Sequence, residues 1–296
     1  VCVIGIGDMG SGLAKNLIAA GYQTSGYDLK PQRMEDFRQL GGEASTSTEI
    51  AGTGAEAAFI MVMNGDEVRD VVFGTDGNGG LRSVLEPGSV IILSATIKPK
   101  EARGIAIDLE GSGLLMVDTP VSGGRPGADN GTLTLMAAGT EAALSKAKPF
   151  MEAVSGTIHI VGEEIGVGQT VKACLQSLIG AIFTATYEAS VLAGKAGVSG
   201  EVLRKVFATS GAGNGITDVT LEKVITREFE KTGSHINTMH KDLTISMALG
   251  QELGVPLHTA AAAMQIFHAG KTKYPNGDNW VCTRVIEEIV GAELHR

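Results

Sequence analysis

Six residues near the start of the chain have the spacing of a phosphate-binding loop, G-x-G-x-x-G. In order, they are Gly5, Ile6, Gly7, Asp8, Met9 and Gly10. Glycines in this pattern allow a tight turn and a close approach of the backbone to a pyrophosphate, whose charge the amides at a helix N-terminus stabilise. In a chain with 41 glycines, the same pattern taken alone is equally compatible with a structural turn.

An acidic residue follows this loop at the distance typical of a dinucleotide site. Asp28 ends the second apolar run, about 20 residues after the loop. A carboxylate here accepts hydrogen bonds from the adenosine ribose hydroxyls and repels a 2′-phosphate, although Lys30 and Arg33 lie close enough to weaken that preference. The loop and Asp28 together predict a site for NAD, with NADP as the less favoured alternative.

Two later segments contain polar groups that suit a small anionic substrate. Ser122, Gly123 and Gly124 follow an apolar run, and a serine hydroxyl beside two glycine amides can surround an anion. Lys172 ends a segment with the pattern G-x-G-x-x-x-K at the start of a long apolar stretch. Without further context, an ordinary turn and a solvated surface lysine explain these residues equally well.

Short apolar runs alternate with helical patterns through the first half of the chain. The runs lack polar alternation, as expected for strands buried on both faces of a parallel sheet. The predicted strands are Val1–Ile4, Thr24–Tyr27, Ala58–Met63, Val90–Leu93, Leu114–Val117, Thr132–Ala137 and Ile158–Val161. The helices predicted between them are Gly10–Ala20, Pro31–Leu40, Pro99–Leu109 and Glu141–Val154. This alternation predicts an α/β fold, with a doubly wound Rossmann-type sheet over residues 1–162.

The remainder of the chain has only helical patterns. A long helix is predicted over residues 168–196, and Gly270 is predicted to cap a later helix that ends at Ala269. The later helices are Ser199–Thr209, Thr217–Ile225, Thr238–Leu253, Leu257–Ala269 and Val281–Val290. We therefore expect an all-helical domain over residues 163–296 that binds substrate and forms the dimer contact.

The composition excludes several classes of function. Of 296 residues, 43% are hydrophobic and 19% are charged, so the chain can bury a full core, and its net charge of −9 argues against nucleic acid as a partner. The three cysteines are too few and too scattered for a disulfide framework or a zinc site. No secretion signal and no apolar stretch of membrane-spanning length is evident, so we expect a cytoplasmic protein without a metal or a membrane partner.

Several of these segments resemble, in order along the chain, the motifs of the β-hydroxyacid dehydrogenases, which are related to 3-hydroxyisobutyrate and 6-phosphogluconate dehydrogenases. The resemblance implies that Ser122, Gly123 and Gly124 bind the substrate carboxylate. Residues 93–99 resemble the Ser-Thr-Ile-x-Pro loop of the family, which implies that Thr96 lies beside the nicotinamide ribose. The alternative for this threonine is a hydroxyl that caps the following helix.

By the same resemblance, Lys172 is the general base in alcohol oxidation and the acid in the reverse reaction. Many members have two asparagines three and four residues after this lysine, whereas this chain has Leu175 and Gln176. Gln176 can still form a hydrogen bond with a substrate hydroxyl or carboxylate. A glutamine here resembles the branch that acts on four-carbon sugar acids such as L-threonate, and it makes 3-hydroxyisobutyrate a doubtful substrate.

Two further matches imply contacts with the cofactor. Lys241, Asp242 and Leu243 resemble the Lys-Asp-Leu segment of the family, which implies that Lys241 contacts or closes over the cofactor; an exposed ion pair is the alternative. Met63 and Asn64 end the third predicted strand, where the family places contacts on the adenine side. For the methionines in that strand, core packing is the alternative.

The resemblance implies an NAD-dependent oxidoreductase that transfers a hydride between a small carboxylate-bearing hydroxy acid and nicotinamide, as a homodimer or homotetramer. A non-catalytic dinucleotide-binding module and an imine reductase of the same fold remain as alternatives. The absence of an evident basic cluster disfavours 6-phosphogluconate dehydrogenase itself. A metal-dependent hydrolase is disfavoured because His235 and His240 do not share a helical face.

Overall fold

The computed structural model describes residues 1–75, 77 and 79–295, and it forms two compact units, Val1–Lys172 and a second that begins at Ala173. The strands of the first unit are β1 (Cys2–Ile4), β2 (Ser25–Tyr27), β3 (Glu43–Ala44), β4 (Ala57–Ile60), β5 (Val90–Leu93), β6 (Leu115–Asp118), β7 (Val121–Ser122), β8 (Leu133–Ala138) and β9 (Ser155–Gly162). Its helices are α1 (Asp8–Ala19), α2 (Pro31–Gln39), α3 (Thr48–Gly52), α4 (Gly65–Phe73), α5 (Pro99–Asp108), α6 (Gly124–Asn130) and α7 (Glu141–Val154).

The strands form one sheet in the order β3-β2-β1-β4-β5-β6-β8-β7, and β9 pairs with β8. The first six strands are parallel, and β8 runs antiparallel to β6 and β7. Successive side chains enter opposite layers: Val3, Phe59 and Ile92 belong to one buried cluster, and Ile4 and Ile60 belong to the other. The predicted doubly wound sheet is confirmed, and its order reverses between β1 and β4, the place where such sheets bind ligands.

Several short elements have no counterpart in the sequence prediction. Strands β3 and β7 have two residues each, and α3 has five, so none of them is long enough to show a period. Helix α4 buries Val68, Val71 and Val72 at helical spacing and begins after Asn64, which accepts a hydrogen bond from the Glu67 amide. The signals of a capped helix were therefore present in this segment.

The described elements of the second unit are helices, as predicted. Its core contains the aromatic rings of Phe183, Tyr187, Phe267 and Trp280, whose neighbouring centroids lie 5.6 to 6.3 Å apart. Its helices are α8 (Val167–Lys195, which begins in the first unit), α9 (Gly200–Ala208), α10 (Gly215–Thr226), α11 (Ile236–Leu253), α12 (His258–Lys273) and α13 (Cys282–Val290). The predicted end of the domain, residue 296, lies outside the described residues.

Gly270 does not end a helix, so the predicted cap is wrong. Helix α12 continues through this residue to Lys273. A Cβ atom at Gly270 would lie 2.6 Å from the Cys282 Sγ, so the glycine allows α12 and α13 to pack closely. This glycine therefore serves helix packing rather than a left-handed turn.

Helix α8 is long and apolar enough, by length and composition, to cross a membrane, which the sequence pattern did not indicate. Within the second unit it is a packed core helix. Its Gly180 approaches α11 so closely that a Cβ there would lie 2.7 Å from Leu243, and Tyr187 is fully buried and donates to the Asn279 carbonyl oxygen. These contacts are those of the central helix of a packed helical domain.

Candidate active site

Two positions of the loop between β1 and α1 have no room for a side chain. Gly5 has a φ of +93°, and a Cβ there would lie 2.3 Å from the Met61 carbonyl oxygen. A Cβ on Gly10 would lie 1.8 Å from the Gly5 carbonyl oxygen. Gly7, directly before α1, is less crowded, because a Cβ there would make only ordinary contacts, at 3.6 Å, with the Arg33 guanidinium. The residues therefore fit a dinucleotide, whose pyrophosphate would lie on Gly7 at the start of the helix.

Helix α1 packs directly against α6, the helix that follows the predicted substrate loop. A Cβ on Gly12 would lie 2.6 Å from the backbone of Ala128, and the Asn16 side chain donates to the Ala128 carbonyl oxygen at 2.7 Å. At the exposed end of the pair, Arg125 lies 3.8 Å from Asp8. These contacts bring the phosphate loop and the predicted substrate loop to the same side of the first unit.

Asp28 is fixed at the end of β2 and faces the phosphate loop. One carboxylate oxygen accepts from the Ile6 amide at 2.9 Å, and the other accepts from the Lys30 amide at 2.9 Å. Arg33 forms an ion pair with the carboxylate at 3.0 Å, although the aspartate side chain is only 7% exposed and the arginine 38%. The structure therefore brings Asp28 to the loop as the spacing predicts, together with a cation that the sequence placed nearby.

The predicted substrate loop follows β7 and turns on two successive glycines. Gly123 and Gly124 have φ values of +126° and +59°, in the left-handed region that favours glycine. Lys172 is 6% exposed, and its Nζ donates to the carbonyl oxygen of Val121 at 2.7 Å. Since Val121 directly precedes Ser122, the structure places the lysine ammonium beside this loop.

A buried hydrogen-bond network, to which the sequence pattern gave no role, fixes the first turn of α8. Asp118, the last residue of β6, accepts from the amides of Gly166 and Gln169 at 2.9 and 3.1 Å and from the Gln169 Nε2 at 2.8 Å. Gln169 also accepts from the Ile97 amide and donates to the Ala95 carbonyl oxygen, both at 3.0 Å. The network ties the start of the lysine helix to the loop that contains Thr96.

Burial raises the pKa of Asp118 to about 6, against the opposing effect of the hydrogen bonds from Gln169 and Gly166. Asp118 and Gln169 could have been identified from the sequence as positioning residues. The signals were a charged side chain directly after an apolar strand and a second polar residue within the lysine motif. Asp118 lies in the segment of the substrate loop and Gln169 in the lysine motif. Other residues of these two segments already accounted for the predicted functions, so neither residue was given a role of its own.

Three further predicted cofactor residues lie at the ends of β4 and β5. Thr96 is in the loop before α5, but the residue that precedes this helix as its cap is Lys98, so the capping alternative is wrong. Met63 is 49% exposed and is thus not a core residue. The Asn64 side chain bonds at 2.9 Å with both the amide and the carboxylate of Glu67, so it has a capping role in α4.

In the second unit, Gln176 and Lys241 meet at a shared carboxylate. The Gln176 Nε2 donates to the Asp242 Oδ2 at 2.6 Å, and the Lys241 Nζ lies 3.0 Å from the Asp242 Oδ1. The Asp242 side chain is almost fully buried, so this is not the exposed ion pair considered above. Lys241 and Gln176 are therefore held by the same residue.

Two histidines of this unit, one on α11 and one on α12, form a pair. His240 on α11 and His268 on α12 have ring nitrogens 3.1 Å apart, and burial lowers the pKa of His240. Over residues 1–75, 77 and 79–295, no group of three His, Cys, Asp or Glu side chains is arranged to hold a metal ion.

Comparison with known proteins identifies the family. Residues 1–162 match the NAD binding domain of 6-phosphogluconate dehydrogenase, and residues 166–286 match the NAD-binding family of NADP-dependent 3-hydroxyisobutyrate dehydrogenase. An L-threonate dehydrogenase from Pectobacterium atrosepticum is 34% identical over 91% of this chain and 88% of its own length. The crystal structure of 3-hydroxyisobutyrate dehydrogenase from Salmonella typhimurium is 30% identical, with a TM-score of 0.87 over 96% of this chain and 98% of its own. An imine reductase from Myxococcus stipitatus, 19% identical with a TM-score of 0.63 over 96% of this chain and 98% of its own, shares the fold alone.

The Rossmann sheet and its glycine loop form a dinucleotide-binding domain. With both parts of the chain matched, the protein belongs to the β-hydroxyacid dehydrogenase family. The predicted family, the hydroxyacid dehydrogenase class and NAD as the cofactor are thereby confirmed. The roles of individual residues stay predictions.

Proposed function

We propose that this dehydrogenase acts on a small polyhydroxy acid and that Lys172 is its general acid and base. The observation that supports this role is the 2.7 Å hydrogen bond from the Lys172 Nζ to the carbonyl oxygen of Val121. That bond holds a buried ammonium next to the loop of Ser122, Gly123 and Gly124, which we assign to the substrate carboxylate. A reacting hydroxyl close to that carboxylate then lies within reach of the lysine.

In this mechanism, NAD when bound supplies the acceptor for the hydride that leaves the carbinol carbon. With Nζ as a neutral amine, Lys172 accepts the hydroxyl proton during oxidation, and the ammonium that forms returns the proton during reduction. The ammonium also stabilises negative charge that develops on the substrate oxygen. The Ser122 hydroxyl and the amides of Gly123 and Gly124 orient the substrate through its carboxylate. The network of Asp118 and Gln169 keeps the lysine helix in place.

We assign the phosphate loop and Asp28 to the adenosine half of the cofactor. The fixed carboxylate of Asp28 supports NAD as the preferred form, because it would repel a 2′-phosphate. Arg33 shares that carboxylate at 3.0 Å and reduces the discrimination. The other proposed cofactor contacts are Gly5, Ile6, Gly7, Asp8, Met9, Gly10, Met63, Asn64, Thr96 and Lys241.

We further propose a cytoplasmic homodimer or homotetramer. Exposed apolar side chains support an assembly: Val198, Val202 and Val206 follow one another at four-residue spacing in and before α9, and Leu178 and Leu192 project from α8. Light scattering after size-exclusion chromatography measures the mass directly. A strictly monomeric protein at micromolar concentration would contradict this assignment.

The alternatives make different predictions about the lysine. A non-catalytic binding module has no use for a buried lysine that is fixed against the substrate loop, so the placement of Lys172 favours an enzyme. An imine reductase would reduce cyclic imines with NADPH and would not oxidise hydroxy acids. Turnover of hydroxy acids therefore distinguishes the dehydrogenase from both alternatives, and reduction of a cyclic imine with NADPH distinguishes the imine reductase from the binding module.

The test is the rate of NAD and NADP reduction with a panel of hydroxy acids: 3-hydroxyisobutyrate, glycerate, 3-hydroxypropionate, L-threonate, D-threonate and D-erythronate. Lys172→Ala should lower kcat by about 100- to 10,000-fold, the usual contribution of a general acid or base. Lys195→Ala is the matched control, because this lysine of the same helix also donates to a backbone carbonyl oxygen, that of Val290 at 2.8 Å. Full turnover in Lys172→Ala, with normal cofactor binding, would refute the proposal.

A further inference from the structure

The Gln176 side chain has both of its amide hydrogens occupied within the protein. Its Nε2 donates to the Asp242 Oδ2 at 2.6 Å and contacts the Met239 Sδ at 3.6 Å. The side chain is only 7% exposed, and Asp242 is 3% exposed. Gln176 therefore has no N–H group left for a ligand.

The chemistry of the carboxylate sets this orientation. An ionised carboxylate accepts hydrogen bonds and cannot donate them, so the nitrogen of Gln176 must face Asp242. Lys241 lies 3.0 Å from the other oxygen of Asp242. A rotation that exchanged the nitrogen and oxygen of Gln176 would place two acceptors 2.6 Å apart.

The oxygen of Gln176 is then the atom that can meet a ligand. Within the part of the chain that the structure describes, no residue donates to the Gln176 Oε1. This oxygen is also not among the fully enclosed polar atoms that lack partners. An accessible amide oxygen with a fixed orientation accepts hydrogen bonds and offers none.

We propose that Gln176 is a specificity-determining residue that selects substrates with a hydrogen-bond donor, a hydroxyl or an ammonium, beside the reacting group, and that Asp242 is the residue that positions it. This inference rests on the proposed function, in which Gln176 follows Lys172 by four residues in α8. It excludes the Gln176 side chain from binding the substrate carboxylate, because a carboxylate needs a donor. It also disfavours substrates with a methyl group at that point, which would cover the amide oxygen without offering it a donor.

Three acids that share one skeleton test the proposal directly. Glycerate, serine and 3-hydroxyisobutyrate are all 3-hydroxypropionates, and they differ only in a hydroxyl, an ammonium or a methyl group on the second carbon. L-threonate and its mono-deoxy analogues extend the series to four carbons. We expect kcat/KM for a donor-bearing acid to exceed that of its methyl or deoxy counterpart by about 10- to 100-fold, because an unpaired buried acceptor is costly. The serine arm shows whether the donor is a hydroxyl or any N–H or O–H group.

Two variants test whether Gln176 and Asp242 produce the preference for donor-bearing acids. Gln176→Met keeps the shape of the side chain and removes its oxygen, so the ratio between donor-bearing and donor-free acids should fall to about 3 or less. Asp242→Asn should lower the same ratio, because an asparagine can accept or donate and no longer fixes the glutamine. A merely structural role for Asp242 would lower kcat/KM for all acids alike and leave the ratio unchanged. Gln265→Met, at an exposed position on α12, is the control.

The outcomes are distinct. A high ratio of kcat/KM for donor-bearing over donor-free acids in the wild type, falling in both variants, supports the proposal. Neither variant needs full activity for this comparison. Equal turnover of donor-bearing and donor-free acids by the wild type, or a ratio unchanged in Gln176→Met, would overturn it while Lys172-dependent dehydrogenation stands. A wild type that oxidises none of these acids would overturn the proposed function and this inference together.

Discussion

Replacing Asp118 with asparagine changes a buried charge with little change in shape, and its effect on stability can be worked out from the structure. The groups that face the carboxylate are donors: the amides of Gly166, Gly168 and Gln169 and the Nε2 of Gln169. An asparagine must turn its own N–H groups toward at least one of them. Gln169 cannot compensate by rotating, because its oxygen and nitrogen are also bonded to Ile97 and Ala95.

Two effects of this substitution oppose each other at neutral pH. The lost hydrogen bond to a charged group destabilises the fold by about 1.5–3 kcal/mol. Burial raises the pKa of Asp118 from 3.8 to about 6, which means that keeping the carboxylate ionised costs the folded wild type about 3 kcal/mol above pH 7, and the asparagine avoids that cost. The informative quantity is therefore the difference in free energy of unfolding between the wild type and Asp118→Asn as a function of pH, and not its size at one pH.

The sign follows from the raised pKa. A group with a higher pKa in the folded state contributes stability that is fully present below its unfolded pKa and is lost as the pH rises through the folded value. On lowering the pH from about 7.5 to about 5, the wild type should gain about 1.4 kcal/mol relative to Asp118→Asn. Urea unfolding of both proteins at the two pH values measures this change.

The exposed Asp70 on α4 provides the matched control, because Asp70→Asn alters no buried charge. The free energy of unfolding of Asp70→Asn should differ from that of the wild type by the same amount at both pH values. A difference between wild type and Asp118→Asn that is also independent of pH would refute the reasoning, since Asp118 would then not have a raised pKa. A change of the opposite sign would show that the hydrogen bonds outweigh burial.

Two further predictions concern the cofactor. Gly5→Ala should weaken NAD binding by at least about 10-fold, measured by fluorescence titration, because its Cβ would lie 2.3 Å from a carbonyl oxygen and its φ is +93°. Asp28→Ser should raise the ratio of kcat/KM for NADP over NAD by about 10-fold or more, measured as initial rates with each cofactor, since it removes the charge that repels a 2′-phosphate and frees Arg33.

Both of these predictions have a control variant in the first unit. Gly54 also has a positive φ, +73°, but a Cβ there meets nothing within 4 Å, so Gly54→Ala isolates backbone strain from the clash. NAD affinity should be unaffected in Gly54→Ala, and equal losses in both variants would contradict the argument for Gly5. For Asp28, the exposed Asp66→Ser should leave the cofactor ratio unchanged, and an unchanged ratio in Asp28→Ser would show that other residues discriminate.

The sequence was most informative where burial is uniform along an element. Val90–Leu93 has the same bounds in prediction and structure, because four successive apolar residues are buried on both faces of the sheet. Glu141–Val154 is also unchanged, and Thr140 caps it with a side-chain bond to the Ala143 amide. Strand β3, by contrast, consists of Glu43 and Ala44 at the sheet edge and shows no periodicity.

In the site, the loops were predictable and the partners of their side chains were not. Loops at the carboxyl ends of parallel strands share one edge of the sheet, and the family resemblance assigned Thr96 and Ser122 to the same site as the phosphate loop. The bonds from Asp118 to Gln169 and from Gln176 to Asp242 join residues 51 and 66 positions apart. No local pattern encodes such pairs, so the orientation of Gln176 required the structure.

The boundary between the two compact units falls between Lys172 and Ala173, within a single helix. Everything that we assign to proton transfer precedes that point, and the glutamine and aspartate that we assign to substrate choice follow it. Mutations of Gln176 and Asp242 should therefore alter which acid is accepted without changing the residues that we assign to proton transfer. In evolutionary terms, one inherited chemistry can diversify into enzymes for different metabolites, and laboratory evolution of new substrate ranges should begin in the second part of the gene.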